Sequence, residues 1–222
     1  MSVVHRTTLT PTKVELVTGW LPSRPWYVAG AGAPELAKAG GFRLDDPEGE
    51  VGVEFLVVTD TGGGAAVAYQ VPLTYRAAPL DGAEDALVGT TEHGVLGRRW
   101  VYDGAHDPVL TAQLTALVGG EVKAQAQSVS DTLDHDVERG YTGAGLPADR
   151  TATTVADQED ATLVGLADGS VLRLHRVLRP FADGADAVPG PDAAGHVSSV
   201  WQAADGTRVR GLFAVLEPAP GA

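Results

Sequence analysis

The tripeptide Ala-Asp-Gly occurs twice in the last third of the chain, each time between two runs of strand-forming residues: "LVGLADGSVLRLHRVLRP" (Leu163–Pro180) and "SVWQAADGTRVRGLFAVLEP" (Ser199–Pro218). Asp-Gly is the favoured centre of a tight hairpin, because both central positions take positive φ and glycine or a short polar residue does so at least cost. Each run then stops at a proline, Pro180 or Pro218, which has no N–H to give to a ladder. Two such hairpins in succession predict one antiparallel sheet. Between them "FADGADAVPGPDAAG" (Phe181–Gly195) is rich in Gly, Pro and Asp, and reads as loop, not helix.

Similar punctuation governs the first half. Gly62-Gly63-Gly64 joins "VEFLVVTD" (Val53–Asp60) to "AAVAYQVPLTYR" (Ala65–Arg76), which predicts a hairpin. A phosphate-cradling loop would need Lys-Ser/Thr and a helix directly afterwards, and neither follows. Two helices are expected. The first runs from about Pro11 to Trp20 with Val14, Val17 and Leu21 on one face, and Pro22 and Pro25 stop it. The second opens on Asp107 as N-cap and Pro108 as first helical residue. It carries Val109, Leu110, Leu114, Leu117 and Val118 on its apolar face, and closes at Gly119-Gly120. "RRWVYDG" reads as a strand ending in a turn, and "EVKAQAQSVS" alternates at Val122, Ala124 and Ala126 like another strand. Turn residues dominate "DHDVERGYTGAGLPADR". A soft boundary is expected there, near Gly140–Arg150, dividing residues 1–145 from 146–222, with room for the two to pack as one continuous body. The expected fold class is α+β.

Composition removes several chemistries. The chain has 222 residues and no cysteine, so disulfides, thiolate nucleophiles and Cys-ligated metals are excluded. Its 29 acidic residues against 16 basic give a net charge of −13. Such a field repels phosphate backbones and anionic lipid, so neither nucleic acid nor membrane is an expected partner. No apolar run is long enough to span a bilayer, and "MSVVHRTTLT" has no apolar h-region; a cytoplasmic location is expected.

The densest stretch of versatile side chains is "HGVLGRRWVYDGAHDPV" (His93–Val109). There His93 and His106 could act as metal ligands or acid–base groups, with Asp103 and Asp107 as partners. The scaffold reading is favoured, because Asp107 caps a helix, Asp103-Gly104 is a turn pair, and Trp100 and Tyr102 share a packing face with Arg98. Asp134, His135, Asp136 and Glu138 in "LDHDVERG" could hold a divalent ion, although a solvated turn is the commoner outcome in an acidic chain. Glu92-His93 lacks H-E-x-x-H spacing, and no G-x-S-x-G elbow is present. An unrelated hydrolase or metal enzyme built on His93, Asp103 and His106 would require those side chains to converge.

"WLPSRPWYVAG" resembles the Trp-Leu-Pro…Arg-Trp signature that opens actinobacterial maltokinases, and "YQVPLTYRAAPLDG" with "RRWVYDGAHDP" resembles the rest of their N-terminal cap domain. "ATLVGLADGSVLRLHRVLRP" looks like the start of a kinase N-lobe, and "HVSSVWQAADGTRVRGLFAVLEP" is similar to the later hairpin that runs toward the hinge. The resemblance implies a cap of mainly antiparallel strands with a few helices, followed by a meander like part of an N-lobe. Three departures matter. Arg173 stands where the family's strand carries a phosphate-holding lysine, and a guanidinium offers different donor geometry. The segment that would hold the lysine-orienting helix is the loop Phe181–Gly195. The sequence reaches only about the hinge, so the catalytic and metal-binding aspartates of a C-lobe are expected to be missing, and with them phosphoryl transfer.

What the resemblance then implies is a non-catalytic module linked to α-glucan or trehalose metabolism. It would need no cofactor and would bind a protein partner, either a kinase, an α-glucan enzyme or a second copy of itself. The alternative is a nucleotide or sugar-phosphate binder that completes an active site in trans, with Arg173 and Arg176 contacting phosphate and Arg179 assisting.

Overall fold

The computed structural model describes residues 9–127, 132–143, 145–146, 149–182, 190 and 193–219. In chain order its elements are β1 (Leu9–Thr10), α1 (Lys13–Trp20), β2 (Leu36–Leu44), β3 (Gly52–Asp60), β4 (Val67–Arg76), β5 (Leu87–His93), β6 (Gly97–Asp103) and α2 (Pro108–Gly119). There follow β7 (Gln125–Ala126), β8 (Glu138–Tyr141), β9 (Ala152–Asp157), β10 (Ala161–Leu166), β11 (Val171–His175), β12 (Val177–Leu178), β13 (Gly195–Gln202) and β14 (Arg208–Glu217). The result is mostly antiparallel sheet with two short helices. The strands run in the order β1-β5-β6-β4-β3-β2-β13-β14-β11-β10-β9, with β12 beside β4, β7 beside β2 and β8 beside β13.

Both Asp-Gly hairpins form, with a detail the dipeptide rule does not supply. Leu166 N–H donates to Ser170 O and Ala203 N–H to Thr207 O, so each loop has three residues, with glycine last at φ 85° (Gly169) or 86° (Gly206). The preceding aspartates act alike. Asp168 accepts from the N–H and hydroxyl of Ser170, and Asp205 from those of Thr207. The sequence echo is therefore a repeated Asp-Gly-Ser/Thr turn, whose aspartate and glycine do separate jobs.

The helices depart little from expectation. Thr12, not Pro11, begins α1: its hydroxyl accepts from Glu15 N–H while Glu15 answers at the Thr12 N–H, a capping box. Asp107 caps α2 by accepting from Val109 N–H, and Gly120 ends it at φ 81°. Two strand readings change. "EVKAQAQSVS" contributes only Gln125–Ala126, with 128–131 outside the described residues. The turn-rich "DHDVERGY" instead ends in β8, whose residues pair with β13. The Phe181–Gly195 loop falls largely at 183–189 and 191–192, outside the described residues.

"VEFLVV" is apolar almost throughout because β3 is covered on both faces. Val53, Phe55 and Val57 join a cluster with Leu110 and Leu114 of α2, Leu172 and Leu174 of β11, Trp201 and Phe213. Leu56 and Val58 face the other way, against Val17, Trp20, Leu21 and Trp26 from α1 and the turn that follows it. The first cluster draws on residues from both sides of the soft boundary, centred on Phe42 stacked on Phe55 at 4.5 Å. No helix among the described residues is long and apolar enough to cross a membrane.

Candidate functional site

Arg176 follows β11 and has no exposed surface. Its Nη2 donates to both carboxylate oxygens of Asp103, at 2.8 and 2.7 Å, and its Nε donates to Thr162 Oγ1 at 2.7 Å. The Thr162 hydroxyl donates in turn to Asp157 at 2.5 Å. The guanidinium carbon lies 4.9 Å from the centre of the Trp26 ring, a cation–π contact in a desolvated setting. Asp103 also accepts from Ala105 N–H at 3.2 Å, holding the turn before α2. A charge with no access to water persists only when it is paired and hydrogen-bonded. The sequence offered Asp103 as a metal-site candidate, with scaffold the favoured reading, and Arg176 as a phosphate contact only in the alternative reading; the fold pairs them with each other.

The other sequence candidates scatter. His93 sits at the tip of the β5–β6 hairpin, opposite Gly97, where its Nδ1 accepts from Leu96 N–H at 3.0 Å. Asp103 ends β6, about 20 Å further along at strand rise, and His106 is exposed on the next turn. Among the described residues no three His, Asp or Glu side chains are disposed to hold a metal ion. Asp107 is fully buried, capping α2 and accepting a fork from Arg76 at 2.6 and 2.7 Å. Arg173 donates to Glu217 at 3.2 Å and to Gln158 at 3.1 Å, with its side chain partly exposed. Arg179 is exposed. Asp136 and Glu138 face Arg208 and Arg210 of β14, at 2.5 and 3.2 Å, so that acidic run meets strand arginines, while His135 is exposed. Next to Arg176, His175 has its imidazole held below the ordinary histidine range, by burial first and against the pull of Asp160.

Sequence reading missed another buried carboxylate, Glu54. Glu54 lies on the α1 side of β3 and accepts from Lys13 Nζ, from Gln127 Nε2, and from the Tyr75 hydroxyl at 2.8 Å. Lys13 is the first residue of α1, where a cation opposes the helix dipole; the Glu54 carboxylate beneath it offsets that cost. Gly41 makes room for Gln127. At φ 127°, a Cβ there would stand 2.1 Å from Phe55 O and 2.9 Å from Gln127 Nε2. Burial alone would raise the Glu54 carboxyl. The Lys13 charge, the bonds from Lys13 and Tyr75, and the charge of Lys38 outweigh it and hold the group below the usual carboxylate range. The same burial, with Glu54 alongside, pushes the Tyr75 phenol well up. The available signal was one acidic residue inside an otherwise apolar run, Val53–Val58.

Residues 20–107 match the family model of the maltokinase N-terminal cap domain. The match begins at Trp20, takes in the aromatic cluster of Trp20, Trp26 and Tyr69, and ends at Asp107. It contains Asp103 and Glu54 but not Arg176 or Lys13. No curated protein matches the chain.

Proposed function

We propose that this chain, which carries a maltokinase N-terminal cap domain over residues 20–107, is a maltokinase-related module that binds a partner protein and does no phosphoryl transfer itself. In this reading residues 146–222 correspond to part of a kinase N-lobe, with Arg173 in the place of the phosphate-holding lysine. The partner is a kinase or α-glucan enzyme of the same metabolism. The observation that supports the non-catalytic part is that both phosphate-site candidates, Arg173 and Arg176, are engaged by groups of the chain itself. Asp103 is closed by Arg176, and Arg173 is joined to Glu217 and Gln158. Phosphoryl transfer relies on carboxylates free to hold Mg²⁺ and to position a nucleophile.

The test has two parts. Purified protein given maltose and Mg-ATP is expected to form no sugar phosphate, and light scattering with a candidate enzyme is expected to report a heavier complex than either alone. Formation of sugar phosphate by the chain alone would overturn the non-catalytic part. A chain that stays monomeric and retains no enzyme of this metabolism would overturn the partner-binding part.

A further inference from the structure

Two of the chain's three lysines, Lys13 and Lys38, gather with Arg43 around Glu54 in a protein of net charge −13. Arg43 lies directly opposite Glu54 in the β2–β3 register, and Lys38 stands earlier on β2, opposite Val58. Gly40 and Gly41 separate them on β2, and the Gln127 amide that donates to Glu54 lies over Gly41. Lys13 is matched by Glu54. Lys38 and Arg43 have no ion-pair partner among the described residues, although Lys38 is exposed and Arg43 half-buried. Partial desolvation first, and the Lys13 charge second, hold the Lys38 ammonium below the ordinary lysine range. The patch thus sets three positive charges against the one negative charge of Glu54, a carboxylate that already accepts from Lys13, Gln127 and Tyr75.

We propose that Lys38 and Arg43, with Lys13 beside them, form a binding site for a small dianionic oxyanion of the phosphate type. Two surplus charges match a dianion better than a single carboxylate. Arg43 supplies a planar fork and Lys38 a mobile point charge, the usual division of labour on tetrahedral oxyanions. The site lies beside α1 on the cap, away from Arg173, and does not depend on the partner-binding reading above. Glu54 limits its strength by holding Lys13.

The test uses the full chain titrated with sodium phosphate at fixed ionic strength, against sodium chloride, read by thermal shift and by amide resonances of β2. Phosphate is expected to raise the melting temperature and to move the Lys38 and Arg43 resonances. The apparent affinity should fall at least about tenfold in Lys38→Ala/Arg43→Ala and stay unchanged in Arg173→Ala. It should rise by about tenfold in Glu54→Gln, which frees Lys13 and removes a like charge from the ligand's neighbour. Circular dichroism confirms that each variant is folded, and Lys38→Glu alone, a change at an exposed side chain, serves if the double variant is not. No response in the native chain overturns the proposal. So does an equal response in Lys38→Ala/Arg43→Ala, or a response abolished by Arg173→Ala.

Discussion

Asp103 and Glu54 are both buried carboxylates met by a cation from elsewhere in the chain, yet their surroundings differ in kind. Asp103 and Arg176 form a closed pair with side chains 4% and 0% exposed, stacked against Trp26, with charge matched one to one. Glu54 and Lys13 form an open pair, 8% and 22% exposed, flanked by further cations. The closed pair joins residues 73 apart and the open pair residues 41 apart, and each crosses one limit of the cap match. The difference teaches what each can do. A desolvated, charge-balanced pair specifies one packing arrangement and is shut off from a ligand in solvent, although Arg176 Nη1 has no hydrogen-bond partner among the described residues. A partly hydrated pair flanked by surplus positive charge costs less to disturb.

The largest effect expected is at the closed pair. Asp103→Asn leaves Arg176 as an unpaired charge without access to water and should cost about 3–5 kcal/mol in urea unfolding. Adding Arg176→Met to that variant should recover at least half of the loss, because the isolated charge then disappears. A double variant no better than Asp103→Asn would mean that shape, not charge, dominates there. Glu54→Ala should cost less, about 2 kcal/mol, since Lys13 can turn to water. Equal costs at the two sites would break the distinction between closed and open.

The acid limb sharpens it further. Glu54 is held below its ordinary value in the folded protein, so its stabilising share is fully present above the unfolded value of about 4.3. That share drains away as pH falls through the lower folded value. The urea midpoint of the native chain should fall over that range, and Glu54→Gln should flatten this part of the profile. The smallest effect belongs to Lys38→Ala/Arg43→Ala, which should leave stability within about 0.5 kcal/mol of native while altering the response to phosphate.

The sequence shows local devices readily and distant pairings hardly at all. Gly62-Gly63-Gly64, the Asp107-Pro108 helix start, the stop at Gly120 and both Asp-Gly turns were legible because each acts within four or five residues. Asp103 and Arg176 were each visible as chemically able residues, but in separate hypotheses. Only the path that brings β12 against β4 sets Arg176 over Trp26. The β8 strand was hidden for a similar reason: "ERGY" has no strand pattern of its own and is extended because β13 offers it a partner. Glu54 was overlooked because its donors, Lys13, Tyr75 and Gln127, come from three other segments. Recognition of the cap from "WLPSRPWYVAG" succeeded because those aromatics sit close together in sequence as well as in the core.

The placement of β12 has a consequence for biosynthesis. On one side β4 is shared: β6 takes Leu73–Arg76 and β12 takes Ala68–Tyr69. Residues 20–107 therefore leave the ribosome with half of that edge open and with Asp103 lacking its counter-ion. Arg176 emerges 73 residues later, roughly 4 to 15 s at ordinary elongation rates. For that interval the nascent chain presents an unfinished edge to whatever is nearby, and the recognisable domain closes only when a segment from outside its own boundaries arrives.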